Sequence, residues 1–400
     1  MLHYLQAREK VISTVAARAP RPPGETVPLE AALGRVLAQE VTADRDYPPF
    51  DRSTRDGFAV RAADLVQVPV SLKRLGEVRA GEAFEGTVGP GQCVQIMTGA
   101  PLPPGADAVV MIEHTQPQAD RVAVERRVEA GANVVAQGSE ARRSTPLLAP
   151  GARIGFPEIS LLAQVGQARV RVYRRPRVAI LSTGDEVVPI DAQPGPSQIR
   201  NSNSASMAAQ ATLAGAQPVL LGNARDDRAE LERLIRRGLE EDLLVLTGGV
   251  SLGKYDLVEV VLRKLGAEFS FDAVAIRPGK PAVFATCQGK FVFGLPGNPV
   301  STMVTFILFV APAIALLGGA PAPPLRFLKA RLAEPLKQPT RLTMFLPARL
   351  EGQNADVAVR VVPWQGSGDV AALARSDCFL VLPDNVSELA VGSWVDVLPR

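Results

Sequence analysis

From about residue 176 onwards, apolar strands alternate with helical segments, and this alternation constrains the fold more than any other feature of the chain. The predicted strands and helices are, in order, Val178–Ser182, Asn201–Ala214, Pro218–Gly222, Asp227–Leu239, Leu243–Leu246, Asp256–Leu265 and, after two further short strands, Phe291–Phe293. Alternation of this kind is typical of a mainly parallel sheet with helices on both faces. The sequence therefore predicts an α/β domain over residues 176–322.

Three of these strands end in polar, glycine-rich turns that read S-T-G-D-E, T-G-G-V-S and G-L-P-G-N-P-V-S. Ligands bind at the carboxyl ends of parallel strands, and glycine lets backbone N–H groups approach a phosphate. The candidate binding residues are Ser182, Thr183, Gly184, Gly248, Gly249, Ser251, Pro296, Gly297, Asn298 and Ser301. None of the turns is a P-loop or a dinucleotide fingerprint, which disfavours a standard nucleotide hydrolase or dehydrogenase.

Charged residues are predicted at the same edge of the sheet. They are the carboxylates Asp185, Glu186, Asp226, Asp227 and Asp256, and the cations Arg277 and Lys280. Carboxylates beside phosphate-binding turns indicate Mg²⁺-assisted chemistry on a phosphate. Two histidines and three distant cysteines leave no basis for a histidine-rich or CxxC metal site. Asp226, Asp227 and Asp256 could instead be helix N-caps, and Arg277 and Lys280 could be solvated loop charges.

The remaining chain is predicted to form further domains, so that the fold class is multidomain α/β and β. Residues 1–45 and 140–175 are expected to form one discontinuous linking and dimerisation domain, with a short helix over Leu29–Ala38. Residues 46–139 contain short β-type runs between Gly/Pro turns, which indicates a β-rich domain. Residues 325–400 are again β-rich and are expected to form a C-terminal, barrel-like β domain.

Composition excludes several other classes of protein. A balance of 44 basic against 41 acidic residues gives no dense basic patch, so no nucleic-acid partner is expected. The uncharged stretch from Phe291 to Pro324 contains Pro312 and lacks cationic flanks, so a buried core helix is predicted rather than a membrane span. The absence of a signal-peptide pattern and the unpaired cysteines favour a cytoplasmic protein.

Six motifs occur in one order along the chain: P-P-F-D-R-S-T-R-D-G-F-A-V, I-M-T-G-A-P-L-P-P-G-A-D-A-V-V, S-T-G-D-E, T-G-G-V-S, R-P-G-K-P and G-L-P-G-N-P-V-S. In this order they resemble the MoeA family, to which the E domains of gephyrin and of its plant counterpart are similar. The resemblance covers about residues 5–398. It implies a homodimer that inserts molybdate into adenylylated molybdopterin, with release of AMP and a requirement for Mg²⁺. It also implies transient contact with the molybdopterin adenylyltransferase.

The resemblance also implies roles for individual residues. Asp56 and Thr98 would act from the β-rich domain, reaching the cleft of the other subunit. Glu186, Asp227 and Asp256 would hold Mg²⁺ or act on the phosphoanhydride, while Gly248, Gly249 and Ser251 would cradle the pterin phosphate. Molybdate or a neighbouring phosphate would be bound by Arg277, Lys280, Ser301, Arg341 and Ser367. Since molybdate is a dianion, cations and hydroxyl or backbone donors suit it.

Three alternatives remain at the level of sequence. A tungstate-inserting relative would have the same scaffold, because the two oxyanions are nearly equal in size and charge. A scaffold or interaction protein is a second alternative, although the set of carboxylates and Lys280 disfavours it. A carrier that binds the cofactor and hands it on without catalysis is the third.

Overall fold

The first part of the chain supplies one long helix and a set of short strands. In this computed structural model the described residues are 1–249, 257–338, 341–353 and 356–400. The elements over residues 1–173 are α1 Tyr4–Arg18, β1 Gly24–Pro28, β2 Val41–Thr42, β3 Arg52–Ser53, β4 Gly57–Val60, β5 Val70–Val78, β6 Gln92–Ile96, β7 Ala108–Met111, β8 Thr115–Gln118, β9 Arg121–Val124, β10 Val134–Val135, β11 Pro146–Leu148, α2 Phe156–Gln164 and β12 Arg169–Tyr173.

A six-stranded sheet in the order β7-β4-β6-β5-β9-β8 forms the β-rich domain. All four residues of β4 are buried. Phe58 and Val60 pack into the core on one face of the sheet, while Ala59 packs into the core on the other, as the two-residue period of a strand requires. Both faces of this sheet are therefore covered, and its β4–β7 edge carries the Asp56-Gly57 turn.

Distant segments meet beside this sheet. Strand β1 pairs with β12 in an antiparallel register, and β2 pairs with β11. The predicted helix over Leu29–Ala38 is wrong, because only a single 3₁₀ turn forms at Leu29–Ala31. Gly34 takes a positive φ of 74°, and Leu37 forms a β-bridge with Val172, so the chain turns into extended structure instead of continuing a helix.

The α/β domain follows. Its elements are β13 Arg177–Thr183, β14 Val187–Val188, β15 Ile199–Arg200, α3 Ser202–Leu213, β16 Gln217–Ala224, α4 Arg228–Gly238, β17 Leu243–Thr247, α5 Leu257–Lys264, β18 Glu268–Phe271, β19 Ile276–Arg277, β20 Val283–Cys287, β21 Lys290–Leu295, α6 Pro299–Thr305 and α7 Ala311–Leu317. A sheet runs in the order β16-β13-β17-β21-β20-β18, and the first four strands are parallel. The prediction of a mainly parallel α/β domain is confirmed.

The chain leaves β13 towards β16 and then crosses back to β17, on the other side of β13. A reversal of this kind opens a crevice at the carboxyl ends of the strands. The three glycine-rich turns follow β13, β17 and β21, which are adjacent in the sheet. The sheet order thus brings them to one edge.

The long apolar helix after β21 fills the core. Helix α6 passes through a π-helical turn at Phe306–Val310 into α7. By length and composition Pro299–Leu317 could cross a membrane, but 78% of its most apolar window is buried inside the protein. Helix α1 packs against it through Val11 and Val15. The first helix therefore contributes to the α/β core, although it belongs to the segment predicted for the linking domain.

The C-terminal part closes into a barrel. Its elements are β22 Leu328–Leu332, β23 Leu336–Lys337, β24 Thr343–Glu351, β25 Ala358–Val361, α8 Val370–Ala374, β26 Cys378–Leu382, β27 Glu388–Leu389 and β28 Trp394–Pro399. The sheet runs β19-β24-β25-β22-β28-β26, and β24 also pairs with β26, so these strands close on themselves. Strand β19 reaches across from the α/β domain. The predicted fold class is confirmed, while the domain boundaries stay a prediction.

Arg8 ties α1 to the π-helical turn. Its side chain is buried, and Nη1 donates to the carbonyl oxygen of Leu308 at 2.7 Å while Nη2 donates to that of Pro323. We expect Arg8→Ala to lower the free energy of unfolding by about 2 kcal/mol, because charged donors form the stronger hydrogen bonds in proteins. Denaturant titration would measure this. Lys10→Ala, on the exposed face of the same helix, should stay within about 0.5 kcal/mol, and an equal loss in both variants would contradict the assignment.

Candidate functional site

A cleft lies at the carboxyl ends of β13, β17 and β21. It consists of two adjoining cavities of about 340 Å³ and 630 Å³. Residues of all three glycine-rich turns line both cavities, together with Glu186 and Ile199; these turn residues are Thr183, Gly248, Gly297 and Asn298. The structure thus brings the predicted binding turns together. Ser251 and Asp256 lie outside the described residues.

The turns require glycine because they approach one another closely. Gly248 and Gly249 take positive φ values of 86° and 62°, a region that other residues rarely adopt. A Cβ atom on Gly248 would lie 2.6 Å from the carbonyl oxygen of Thr183. One on Gly249 would lie 2.9 Å from Thr183 Oγ1. Backbone atoms of the second turn therefore pass directly over the end of β13.

Buried hydroxyl groups fix the end of the first strand. Ser182 Oγ donates to Asn201 Oδ1 at 3.0 Å and lies 2.5 Å from Ser204 Oγ. Asn201 Oδ1 also accepts from the backbone N–H of Ser204, and so caps α3. Thr183 Oγ1 is buried without a hydrogen-bond partner. Ser182 thus lines only the smaller cavity, whereas Thr183 lines both cavities.

Of the predicted carboxylates, Glu186 and Asp226 line the larger cavity, whereas Asp227 does not. Burial first, and then the charges of Asp185 and Glu186, raise the pKa of Asp226. Asp227 Oδ1 accepts from the backbone N–H of Glu230 at 2.8 Å, so this side chain caps α4. Of the three predicted Mg²⁺ ligands, only Glu186 is placed in the cleft by the described structure.

A complete metal centre is not present among the residues that the structure describes, since no group of three or more His, Cys, Asp or Glu side chains is arranged to hold an ion there. The donor set nevertheless has the right chemistry for Mg²⁺. Carboxylate oxygens are its preferred protein ligands. The pKa of Asp226 is raised by burial and then by the charges of Asp185 and Glu186, and a divalent cation would offset these charges.

None of the predicted oxyanion-binding residues lines either of the two cavities. Arg277, Lys280 and Arg341 are exposed and form no ion pair within the described ranges. Arg277 pairs with Met344 through β19 and β24. Ser301 is buried in α6, and the carbonyl oxygen of Ser367 accepts from the backbone N–H of Val300.

The C-terminal segment reaches the cleft just after Ser367, where Gly368 and Val370 line the smaller cavity. Pro296 lines the larger cavity, and Asn298 stands at the N-cap of α6 without its side chain making the capping bond.

Sequence reasoning missed several polar side chains that line the cleft. Arg225 lines the larger cavity, while Arg200 and Asn203 line the smaller one. Arg225 directly precedes the predicted carboxylates Asp226 and Asp227, and a cation at a strand end could have been noticed. Arg200 and Asn203 lie near Asn201, the N-cap of α3. Polar residues are expected around a helix cap, so their residue type alone gave no reason to place these two side chains in the cleft.

Asp56 and Thr98 lie together in the β-rich domain. Thr98 donates to Asp56 Oδ1 through its backbone N–H at 2.7 Å and through its hydroxyl at 2.8 Å. These bonds lower the pKa of Asp56, because they stabilise the charged form. Neither residue lines the two cavities. Within one subunit the pair therefore stands apart from the cleft.

Three family models match the chain. The MoeA N-terminal region (domain I and II) matches residues 3–166, the "Probable molybdopterin binding domain" matches residues 179–316, and the MoeA C-terminal region (domain IV) matches residues 329–399. The middle model covers the parallel sheet and the cleft. A protein assembled from these three regions is of the MoeA type.

Similar proteins agree with the family models. The molybdopterin molybdenumtransferase of Bacillus subtilis is 38% identical over 94% of this chain and 90% of its own length. That of Nostoc sp. is 37% identical over 94% and 88%. Two crystal structures of molybdopterin biosynthesis MoeA proteins from Pyrococcus horikoshii are also similar. One has a TM-score of 0.77 with 34% identity and 98% of each chain covered, and the other 0.81 with 27% and 100%. The chain belongs to the MoeA family, which confirms the family predicted from its motifs.

Gly248 offers a test of the close approach between the first two turns. We expect Gly248→Ala to lower the free energy of unfolding by about 2 kcal/mol or more, because both its φ and the contact with Thr183 oppose a Cβ atom. Gly266→Ala is the matched control, since Gly266 has a φ of 84° but open space around it. It should cost only about 1 kcal/mol. Denaturant titration would compare the two, and equal losses would contradict the steric argument.

Asp226 offers a test of the electrostatics. Because its pKa is raised in the folded state, the folded protein binds the proton more tightly, and stability falls as the pH rises from the unfolded pKa through the folded one. We expect Asp226→Asn to stabilise the protein by on the order of 0.5 kcal/mol at about pH 7, a small gain because solvent screens this exposed group.

The gain from Asp226→Asn should shrink towards about pH 4, near the unfolded pKa of an aspartate. Melting temperatures across this range would measure it. Asp227→Asn should change little, because asparagine is an equally good N-cap. Destabilisation by Asp226→Asn at neutral pH would show that the carboxylate is not under repulsion.

Proposed function

We propose that this chain is a molybdopterin molybdenumtransferase, which inserts molybdate into the dithiolene of adenylylated molybdopterin and releases AMP. The observation that carries the proposal is the cleft itself, where three glycine-rich strand ends meet beside a cluster of carboxylates. The names of the relatives, which are 33–38% identical, support the same reaction.

The phosphate groups of the substrate would lie against the turns. Gly248 and Gly249 have no side chain that would cover their backbone atoms. Gly184 likewise leaves the backbone uncovered at the end of β13. Arg225 adds a positive charge in the larger cavity. Backbone N–H groups and guanidinium donors are the usual partners of phosphate oxygens. The adenylylated end of the substrate therefore fits the larger cavity.

Mg²⁺ would be held by the carboxylates of Glu186 and Asp226, with Asp256 as a further ligand from outside the described residues. Bound there, it would screen the carboxylates from the phosphate and neutralise charge that develops on the leaving AMP. The carboxylate of Asp227 already accepts the capping hydrogen bond from the N–H of Glu230, so we assign it a structural role beside the site.

Molybdate would meet the cations at the rim. Arg277, Lys280 and Arg341 have no ion-pair partner in the described ranges and can turn towards a dianion. Ser301 lies in the first turn of α6, and the backbone of Ser367 is bound to the same turn through the N–H of Val300. A tungstate-inserting protein would use the same groups, so the experiment must separate the two oxyanions.

We further propose a homodimer in which Asp56 and Thr98 of one subunit act in the cleft of the other. Thr98 donates two hydrogen bonds to the carboxylate of Asp56, yet neither residue lines the cleft of its own chain. In a two-fold dimer each subunit can complete the site of its partner. The cytoplasm is the expected compartment, and the molybdopterin adenylyltransferase, which would deliver the substrate, is the expected transient partner.

Single-turnover release of AMP tests the function. Purified protein would receive adenylylated molybdopterin with molybdate, tungstate or neither, each with and without Mg²⁺. We expect release only with an oxyanion and Mg²⁺, and an about 100-fold slower rate in Glu186→Ala because a charge-screening group is lost. Asp191→Ala removes an exposed carboxylate outside the cleft and should leave the rate unchanged. Tight binding without release would favour the cofactor carrier, and release with tungstate alone would favour the tungstate relative.

Mixing two inactive variants extends this test to the dimer. Asp56→Ala and Glu186→Ala subunits would be unfolded together and refolded as a mixture. If Asp56 acts across the dimer, each mixed dimer contains one intact cleft, and about a quarter of the wild-type activity should return. If Asp56 acts within its own subunit, no activity returns, and the assignment across the dimer is wrong.

A further inference from the structure

Asn203, in the first turn of α3, connects the ends of two strands that are far apart in sequence. Its Nδ2 donates to Thr247 Oγ1 at 3.0 Å and to the carbonyl oxygen of Gly297 at 2.7 Å. Thr247 lies at the end of β17, and Gly297 lies in the turn after β21. A single side-chain amide therefore holds two of the three turns of the cleft.

The orientation of this amide is determined by its partners. The carbonyl oxygen of Gly297 can only accept. The hydroxyl of Thr247 uses its hydrogen to donate to the carbonyl oxygen of Pro296 at 3.0 Å, so it too accepts from Asn203. Two acceptors must face the NH₂ group, which leaves Oδ1 on the other side. There it is buried without a hydrogen-bond partner.

A buried acceptor without a partner destabilises a protein, and such groups are rare in native structures. Here the unpaired Oδ1 accompanies an amide orientation in which the NH₂ group donates to Thr247 and Gly297. Asn203 does not cap the helix, since Asn201 has that role. The orientation of the amide is thus explained by its hydrogen bonds to Thr247 and Gly297, which connect the two turns.

The turn held by Asn203 is the one on which the cleft depends. Gly297 and Asn298 line both cavities, and a Cβ atom on Gly297 would lie only 3.6 Å from Gly248 Cα. Thr302 braces the same turn from the other side, with its hydroxyl 2.6 Å from the carbonyl oxygen of Pro296. A shift of the 296–298 backbone would therefore change the space above Gly248.

We propose that Asn203 is a positioning residue, whose amide holds the 296–298 turn against Thr247 and thereby sets the geometry in which phosphate groups of the substrate bind. Its role in catalysis rests on the proposed function. Its role in ordering the turn does not. Asn203 acts through the backbone of Gly297, to which its amide donates, while its Oδ1 is buried without a partner.

Asn203→Asp tests the donor role directly. The introduced carboxylate has no hydrogen to donate when it is ionised, and its oxygens would face two acceptors, which raises its pKa. When it is protonated, the carboxyl group regains one donor. The charged groups that line the same cavity are Glu186 and Arg200; both are close enough to affect the midpoint, but neither restores a donor. The defect should therefore be present at about pH 8 and recede towards about pH 5.5.

Gln210→Glu is the matched control. Gln210 lies on the same helix α3, and its Oε1 is also buried without a partner, but it lines a separate apolar groove. Asn203→Ala removes the donor at every pH. Melting temperatures of all variants, each taken at both pH values, would show that they fold.

Hydrogen–deuterium exchange provides the readout that needs no ligand. The amides of Val300 and Thr302 donate to the carbonyl oxygens of Ser367 and Asn298 at the start of α6. We expect them to exchange about tenfold faster than in wild type in Asn203→Ala at both pH values, because both hydrogen bonds that Asn203 donates are lost. Asn203→Asp should match this at about pH 8 and approach wild type at about pH 5.5. Gln210→Glu should not differ from wild type.

The second readout is single-turnover AMP release, expressed as the ratio of variant to wild type at each pH. We expect about a tenfold loss for Asn203→Asp at about pH 8 that largely disappears at about pH 5.5. The proposal would be overturned if the amides of Val300 and Thr302 exchanged at the wild-type rate in Asn203→Ala. It would also be overturned if the loss of AMP release in Asn203→Asp were the same at both pH values. If wild type itself releases no AMP, the proposed function fails, while the exchange measurement still decides the role of Asn203.

Discussion

The parallel hydrogen-bond ladder of β13, β17 and β21 is the constraint on which the rest of this structure depends. Its register places Ser182 beside Thr247 and Thr247 beside Leu295, so the three strands end at one level. The backbone N–H of Gly248 continues the ladder by donating to Leu295. Three turns that are separated by long stretches of sequence therefore meet within a few ångströms, and the cleft follows from that register.

The site combines groups that would repel one another in isolation. Asp185, Glu186 and Asp226 place negative charge at the end of β13 and after β16, and burial, followed by the charges of Asp185 and Glu186, raises the pKa of Asp226. Glycine turns beside them offer backbone to anions. A cation between them would relieve the repulsion between these carboxylates and a bound phosphate. That repulsion is the physical basis of the proposed role of Mg²⁺.

Local sequence was sufficient wherever one short segment determines its own structure. The alternation of strands and helices from residue 176 predicted the parallel sheet, and the uncharged stretch from Phe291 to Pro324 predicted the buried core helix. The order of six motifs was enough for the family. Prediction from local sequence failed at Leu29–Ala38. There the positive φ of Gly34 and the β-bridge from Leu37 to Val172 prevent the helix that the spacing of apolar residues predicts.

Tertiary structure alone decided which of the neighbouring candidates reaches the cleft. Asp226 and Asp227 have the same residue type, but α4 begins directly after Asp227, at Arg228, and uses the Asp227 side chain as its N-cap. Asn203 looked like part of a capping segment, and its bonds to Thr247 and Gly297 exist only because the sheet brings these turns to α3. Residue type determines what chemistry a side chain can perform, whereas strand register and helix packing determine what that side chain faces, since both depend on contacts between segments distant in sequence.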